Sequence, residues 1–277
     1  MNYILYNEKS HNGNQLDSNE KLKNLDAKKI SVFEVNYDEF LGTLKEDDKV
    51  ILVGGDGTLN HFVNDVDGKE LPCKFYFLSS GTGNDFQNDM KDHLEDGLIY
   101  LNDCIKDLPT VIINEKSYKF IDGIGFGIDG YCCEVGDDLQ AKSDKPVNYT
   151  SIAIKGLLFH YKRPNAKVTV DGVTKEYKGV WLAPTMLGKF YGGGMMIAPG
   201  QDRFNSERLL TNVVMHGSGK LKTLIVFPKI FKGEHVKHTE MIDVRCGKEF
   251  TVEFDRPTAL QIDGETVRNV VKYTVRR

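Results

Sequence analysis

The chain has 277 residues, of which 40% are hydrophobic, 27% charged and 10% aromatic, a composition that excludes disordered, collagenous and disulfide-scaffold proteins. That length exceeds what one hydrophobic core usually serves, so two domains or one large α/β domain is expected. Lys and Arg number 36 against 40 Asp and Glu, and the resulting formal charge of −4 argues against a protein that tracks a nucleic-acid backbone.

From the N-terminus, short apolar runs at 3–6, 30–35, 50–53 and 75–78 read as strands, and amphipathic stretches at 37–44, 59–66 and 93–105 read as helices. Alternating strands and helices with continuously apolar strands predict a mostly parallel sheet covered by helices, whose ligand site lies beyond the strand carboxyl ends. The polar link between Tyr6 and Ile30 predicts at most a short, exposed crossover helix. From about residue 118 the texture becomes β-rich, with strands expected at 167–170, 179–183, 210–215, 249–254 and 267–275. Asp171-Gly172 and Asp263-Gly264 mark hairpins, and helices are expected at 149–161 and at 221–231, the second bent or shortened by Pro228. The predicted architecture is therefore α/β plus β, with an α/β domain over 1–118 and a β domain over 119–277. Whether 267–277 ends in the β domain or returns to the first is left open.

The N-terminus has no basic region followed by an apolar one, and no stretch approaches the roughly 18 apolar residues needed to span a bilayer, so the chain is expected to be neither secreted nor transmembrane. Five cysteines (Cys73, Cys104, Cys132, Cys133, Cys246) form no C-x-x-C pair and read as reduced thiols of a cytoplasmic protein. No segment fixes the oligomeric state, and a homodimer is left open.

The most informative segment is Gly54-Gly55-Asp56-Gly57-Thr58, which follows a buried strand and opens a helix. Its three glycines let phosphate approach the backbone, and the helix N-terminus beyond supplies unpaired N–H groups and a partial positive charge. Asp56, which packing does not require, can coordinate Mg²⁺ or accept the proton of an attacking hydroxyl. The bland alternative is a tight turn with Asp as a helix cap. Ser79-Ser80-Gly81-Thr82-Gly83-Asn84-Asp85-Phe86 repeats the design after the next strand, so that both loops, with the hydroxyls of Thr58 and Thr82, can enclose a polyphosphate. A capped turn is again the alternative. The first strand ends in Asn7-Glu8-Lys9-Ser10, on the same predicted edge.

These motifs resemble those of the diacylglycerol kinase catalytic-domain superfamily of lipid kinases. Gly54 to Thr58 matches its G-G-D-G-T loop and Gly81 to Phe86 its G-T-G-N-D-F loop completely; Asn7, Lys9 and Ser10 match its first-strand loop, from which Glu8 and His11 depart. Phe120 to Phe126 looks like its F-L-N-x-x-G-x-G-F segment with Asp122 where Asn is frequent. Gly192-Gly193-Gly194-Met195 with Ala198-Pro199 looks like its G-G-G-M…A-P stretch, and Asp263-Gly264-Glu265 like its D-G-E ending.

The resemblance implies an NAD kinase-like α/β nucleotide domain followed by a β-sandwich, with ATP and Mg²⁺ meeting the acceptor in the cleft between them. By carry-over, Asn7, Lys9, Ser10, Gly54, Gly55, Gly57, Thr58, Gly81, Thr82, Gly83 and Asn84 contact nucleotide, Asp56 holds the metal, and Asp56 and Glu265 are the acidic pair for chemistry, with the base unassigned between them. The implied activity is transfer of the γ-phosphoryl group of ATP to the hydroxyl of diacylglycerol or a related long-chain alcohol at the membrane surface. An NAD kinase-like phosphotransferase and a silent nucleotide-binding regulator are the alternatives. The family's acidic Asp-Asp-Gly-like stretch after Ala-Pro is Asn205-Ser206-Glu207-Arg208 here, which leaves an ancillary metal site in doubt, with Glu207 or Asp202 as possible replacements.

Other features are discounted. Gly125 to Gly130 fits G-x-G-x-x-G, but the polar continuation through Pro146 lacks the periodicity of a dinucleotide-binding helix. Gly217 to Lys220 lacks the upstream glycine of a P-loop, and His235 and His238 lack a third metal ligand. The basic stretches Lys162-Arg163 and 229–237 suit either anionic head groups or a solvated face.

Overall fold

The computed structural model describes residues 1–8, 20–81, 83–142 and 147–277. The chain divides into two units, Met1–Leu108 and Pro109–Arg277.

In the first unit, β1 (Asn2–Tyr6), α1 (Glu20–Lys23), β2 (Lys28–Ser31), α2 (Tyr37–Thr43), β3 (Lys49–Gly54), α3 (Asp56–Asp65), β4 (Lys74–Ser79) and α4 (Asp85–Asp89) follow in order. Then come β5 (Leu94–Glu95), β6 (Leu98–Tyr100) and α5 (Leu101–Cys104). Among the described residues the sheet runs β2-β1-β3-β4-β6-β5, with the first four strands parallel. Val50, Ile51, Leu52 and Val53 of β3 are all at most 2% exposed, as expected of a strand covered on both faces. Asn36 caps α2 by accepting the N–H groups of Asp38 and Glu39.

Two expectations fail here. The helix expected over 93–105 is a hairpin, β5 and β6, followed by the single turn of α5. Asp96 (φ 52°) and Gly97 (φ 82°) adopt the left-handed turn conformation, and β6 adds antiparallel to β4 through Tyr76 and Phe77. The expected strand over 30–35 ends at Ser31, whose carbonyl takes the N–H of Glu34 in a turn.

In the second unit, β7 (Thr110–Ile113), β8 (Lys116–Lys119) and β9 (Gly123–Phe126) precede α6 (Ile128–Gln140) and α7 (Tyr149–Lys155). There follow β10 (Ala166–Val170), β11 (Val173–Tyr177), β12 (Thr185–Met186), β13 (Phe190–Tyr191), β14 (Met195–Met196), β15 (Leu210–Met215) and α8 (Lys220–Val226). The chain ends with β16 (Ile242–Gly247), β17 (Glu249–Ile262) and β18 (Glu265–Arg276). The antiparallel order is β16-β15-β12-β9-β17-β18-β7-β8, with β10 and β11 joined to β17. One edge of β17 pairs with β10 over Phe250 to Phe254 and with β9 over Leu260 to Ile262. Its register against β18 shifts between Glu253 and Leu260, around Pro257, and that irregularity lets one strand serve two parts of the sheet. The last strand, β18, lies between β17 and β7.

The second unit also corrects the sequence reading. A helix, α6, does follow Gly127, although no apolar periodicity announced it. Its buried face includes Gly130, Cys132 and Gly136 beside Ile128 and Asp129, because the helix approaches its neighbours too closely for larger side chains. A Cβ on Gly130 would sit 2.2 Å from the Ala259 carbonyl oxygen, and one on Gly136 2.6 Å from the Tyr149 ring. The segment 179–183 is no regular strand; Trp181 donates its N–H to Met215 and accepts that of Ile128, so its bonds go piecemeal to several partners.

Candidate functional site

Parallel pairing brings the carboxyl ends of β1, β3 and β4 to one edge, with Tyr6 in register with Val53 and Gly54 with Ser79. Gly55 caps α3 in extended conformation without a side-chain bond, so the first amides of that helix have no intrahelical acceptor. A Cβ built on Gly81 would lie 2.8 Å from the Gly55 Cα, and one on Gly55 3.4 Å from the Gly81 Cα. The two loops therefore meet backbone against backbone, which requires glycine at position 81 and leaves a Cβ at 55 only just in contact. At Gly54 a Cβ would fall 2.5 Å from that of Thr58, whose side chain folds back over the strand end.

Hydrogen bonds lock this contact. The Ser80 N–H donates to the Gly54 carbonyl at 2.8 Å, and the Asp85 N–H to Asp56 Oδ2 at 2.9 Å. Asp56, first residue of α3, thus ties the first loop to the start of α4. The Ser79 hydroxyl donates to Asn84 Oδ1 at 2.6 Å and holds Asn84 in the left-handed conformation (φ 51°) that Asn tolerates. Asn7, at the end of β1, donates from Nδ2 to the Thr58 hydroxyl at 2.9 Å. Of the nucleotide-binding residues expected from the sequence, Asn7, Gly54, Gly55, Gly57, Thr58, Gly81, Gly83 and Asn84 share this edge with Asp56, whereas Lys9, Ser10 and Thr82 lie outside the described residues. Ser79 and Asp85 join the site as supporting residues that the motif reading did not single out.

In the second unit Asp263 and Gly264 form a two-residue turn, both with positive φ (47° and 95°), closing the hairpin of β17 and β18. Asp263 Oδ2 accepts the Ile121 N–H at 2.7 Å, and Oδ1 accepts those of Asp122 and Gly123, each at 2.9 Å. Asp263 is thus committed to holding residues 121–123, while Glu265 opens β18 with an exposed side chain. Asp122, in the place where Asn is frequent, pairs with Arg203 at 2.9 Å, both side chains at most 4% exposed. Arg203 also donates to the Ile121 carbonyl at 3.0 Å. Sequence reasoning missed Arg203, since a lone arginine in a polar loop carries no local signal.

The stretch at 205–208 is a chain reversal. Asn205 Nδ2 donates to the Leu209 carbonyl at 2.9 Å and its Oδ1 accepts the Leu209 N–H at 2.7 Å. Asp202 and Glu207 are exposed, and among the described residues no cluster of three His, Cys, Asp or Glu side chains suits a metal ion.

Asp129, in the first turn of α6, is a second buried acid that the sequence did not announce. Burial pushes its carboxyl up to about 7, offset in part by the Gly130 and its own N–H and by the Tyr191 hydroxyl, a looser contact than a full hydrogen bond. Gly125 leaves the room in which this carboxyl and the Gln261 amide converge: a Cβ there would meet Asp129 Oδ2 at 2.2 Å and Gln261 Nε2 at 2.5 Å.

Residues 2–108 match the family model of the diacylglycerol kinase catalytic domain, and residues 123–275 that of the YegS C-terminal NAD kinase beta sandwich-like domain. Among curated proteins, a diacylglycerol kinase of Mycobacterium tuberculosis is 26% identical over 214 residues, covering 73% of this chain and 66% of that protein, so the chain spans just under two thirds of its length. A diacylglycerol kinase of Staphylococcus carnosus is 24% identical over 224 residues, covering 80% and 72%. A crystal structure from Bacillus anthracis str. Sterne superposes with a TM-score of 0.67 at 16% identity, covering 99% of this chain and 93% of the other. A second from that strain, of a diacylglycerol kinase, gives 0.62 at 17%, covering 100% and 93%.

Proposed function

Because the chain belongs to the diacylglycerol kinase catalytic-domain superfamily, we propose that it is an ATP-dependent lipid kinase, transferring the γ-phosphoryl group to the hydroxyl of diacylglycerol or a related long-chain alcohol. The observation that carries this reading is the contact of Gly55 with Gly81, a cradle that a Cβ on Gly81 would fill, beside the first amides of α3, which have no acceptor within the helix. Such a cradle suits the phosphates of a nucleotide. Asp56 fits Mg²⁺ by the chemistry of its donor: the ion is typically bound through one or two carboxylates together with substrate phosphates rather than in a protein cage. When bound there, Mg²⁺ would neutralise charge on the phosphate oxygens.

The chain's own residues then have distinct tasks. Amides of the two glycine loops, with Thr58 and Asn7, orient the polyphosphate, and Thr82, Lys9 and Ser10 are assigned there by the family resemblance. An alcohol is a weak nucleophile, so a carboxylate must take its proton as the new bond to phosphorus forms; Asp56 and Glu265 are the two acids assigned to this chemistry. Asp263, by fixing 121–123 to the hairpin, holds the turn from which Glu265 opens β18. The lipid acceptor would be met at a membrane surface; no helix among the described residues is long and apolar enough to cross one.

The test is transfer of labelled γ-phosphate from Mg-ATP to a panel of dispersed lipids and to NAD. The wild type should label one lipid class, and Asp56→Asn should lower the rate by about 10²–10⁴-fold, the usual contribution of a positioned proton acceptor. Label in NAD instead of lipid, or an Asp56→Asn variant with unchanged turnover, would remove the proposal.

A further inference from the structure

Two helical segments of the second unit are apolar on the side that does not enter the core. In the first, Ile152 and Leu157 are buried, yet Ile154 and Phe159 are 46% and 74% exposed. Beyond α7 the chain makes one wide turn, in which the Tyr161 N–H reaches the Gly156 carbonyl five residues back at 2.9 Å. In so wide a turn a five-residue spacing brings Phe159 about one turn beyond Ile154. In the second, Val226 and Ile230 are buried while Leu221 and Ile225, four residues apart on α8, are 77% and 68% exposed. At Phe227–Lys232 the helix tightens to three residues per turn, and the exposed Pro228 and Phe231 continue the stripe at that new spacing.

The two stripes adjoin. Lys220 Nζ donates to the Leu158 carbonyl at 2.6 Å, which brings the start of α8 against the wide turn that carries Phe159. Arg163 donates to the Ser218 carbonyl and lies 4.9 Å over the Trp181 ring, pinning the far end of the first segment to the start of the second. Charge follows the same division. Residues 149–163 contain Lys155, Lys162 and Arg163, residues 219–233 contain Lys220, Lys222, Lys229 and Lys232, and neither stretch holds an Asp or Glu, in a chain of net charge −4. Lys222 is paired with Glu240 at 2.7 Å, whereas Lys155, Lys162 and Lys232 are exposed and make no ion pair among the described residues.

Contiguous exposed apolar side chains rimmed by cations have no role in folding the unit that carries them. We propose that this face docks on an anionic lipid bilayer, with Ile154, Phe159, Leu221, Ile225 and Phe231 entering the acyl boundary and the lysines at the level of the phosphates. A second copy is a poor occupant, because a two-fold interface sets the same patch against itself and would oppose one lysine rim to the other. Docking of this kind gives a lipid kinase access to its acceptor, and rests on that reading for its purpose.

Co-sedimentation of the full chain with vesicles tests it. Wild type should bind vesicles of phosphatidylcholine with phosphatidylglycerol far better than phosphatidylcholine alone, and less as salt rises. Phe159→Glu with Leu221→Glu should lower partition at least about tenfold, and Lys155→Gln with Lys232→Gln by about fivefold per lysine, with thermal midpoints unchanged because all four side chains are exposed. Phosphorylation of a short-chain acceptor dissolved below its aggregation concentration should be the same in the glutamate variant as in wild type. Absence of wild-type binding to anionic vesicles, or undiminished binding by the glutamate variant, would overturn the docking surface, as would light scattering that shows a dimer which the glutamate variant dissociates. Vesicle binding that behaves as expected, with no phosphoryl transfer to any lipid, would sustain the surface and sink the kinase reading.

Discussion

Replacing Gly81 by alanine tests the glycine cradle at its tightest point. The new methyl carbon would sit 2.8 Å from the Gly55 Cα. Favourable carbon contacts lie at about 3.5–4.0 Å, so the loops must separate by roughly 0.7 Å or more. Overpacking of this kind costs about 1–3 kcal/mol of stability. The loops are cross-linked by the Ser80 to Gly54 and Asp85 to Asp56 hydrogen bonds, so the separation also turns amides away from a bound phosphate. One misaimed bond to a charged oxygen is worth about 1.5–3 kcal/mol, or roughly a tenfold to hundredfold weaker nucleotide complex. Calorimetric titration with Mg-ATP and urea denaturation together measure both effects. Gly42→Ala is the control: a Cβ at this exposed position in α2 meets nothing within 4 Å, so alanine should stabilise by about 0.5–1 kcal/mol and leave nucleotide affinity alone. A Gly81→Ala protein with wild-type affinity and stability would refute the idea that close glycine contact builds the site.

Asp129 makes stability depend on pH. Its carboxyl is raised from 3.8 to about 7 by burial, so the native state holds the proton more tightly than the unfolded chain; the stabilisation is fully present below pH 4 and is lost as pH rises towards 7, roughly 4 kcal/mol in all. His235, lowered to about 4 by burial, acts in the opposite sense, losing stability as pH falls from 6.5. The difference between wild type and Asp129→Asn in urea midpoints should therefore change steeply from pH 4 to 8, and parallel curves would contradict it. Arg203→Met should destabilise by about 3–5 kcal/mol by stranding the buried Asp122, and the double variant with Asp122→Asn should cost less than the two single variants together; additivity in denaturant titrations would count against a coupled pair. Asp263→Asn leaves one side-chain oxygen where two now serve three amides, so it should cost about 1–3 kcal/mol and speed amide hydrogen exchange at residues 121–123, with unchanged exchange as the contrary result.

The edge formed by the two glycine loops was legible because its signals are local. A continuously apolar strand, glycines at its end and an amphipathic stretch beyond them are read within a dozen residues, and β3 with α3 and β4 with its following loop form where that pattern says. The shortening of α8 at Pro228 was legible for the same reason, since proline acts on its own turn. Local preference failed where a distant surface decides. The 93–105 stretch has helical periodicity, yet its partner is β4, and edge pairing with Tyr76 and Phe77 outweighed it. Helix α6 hides its buried face in glycines and a cysteine; the glycines' purpose appears only against Ala259, which Gly130 meets from 129 residues away, and Tyr149, which Gly136 meets from 13. Likewise Asp263 reads as a hairpin turn residue within the D-G-E ending, but the amides it holds are 140 to 142 positions earlier, and Arg203 finds Asp122 across 81. The sequence by itself determined the strand, the glycine loops and the acids that end them, because backbone sterics and hydrophobic periodicity act over neighbouring residues. Tertiary structure alone decided which polar groups are buried and what they hold, because desolvation and hydrogen bonding depend on what the fold brings within about 3 Å.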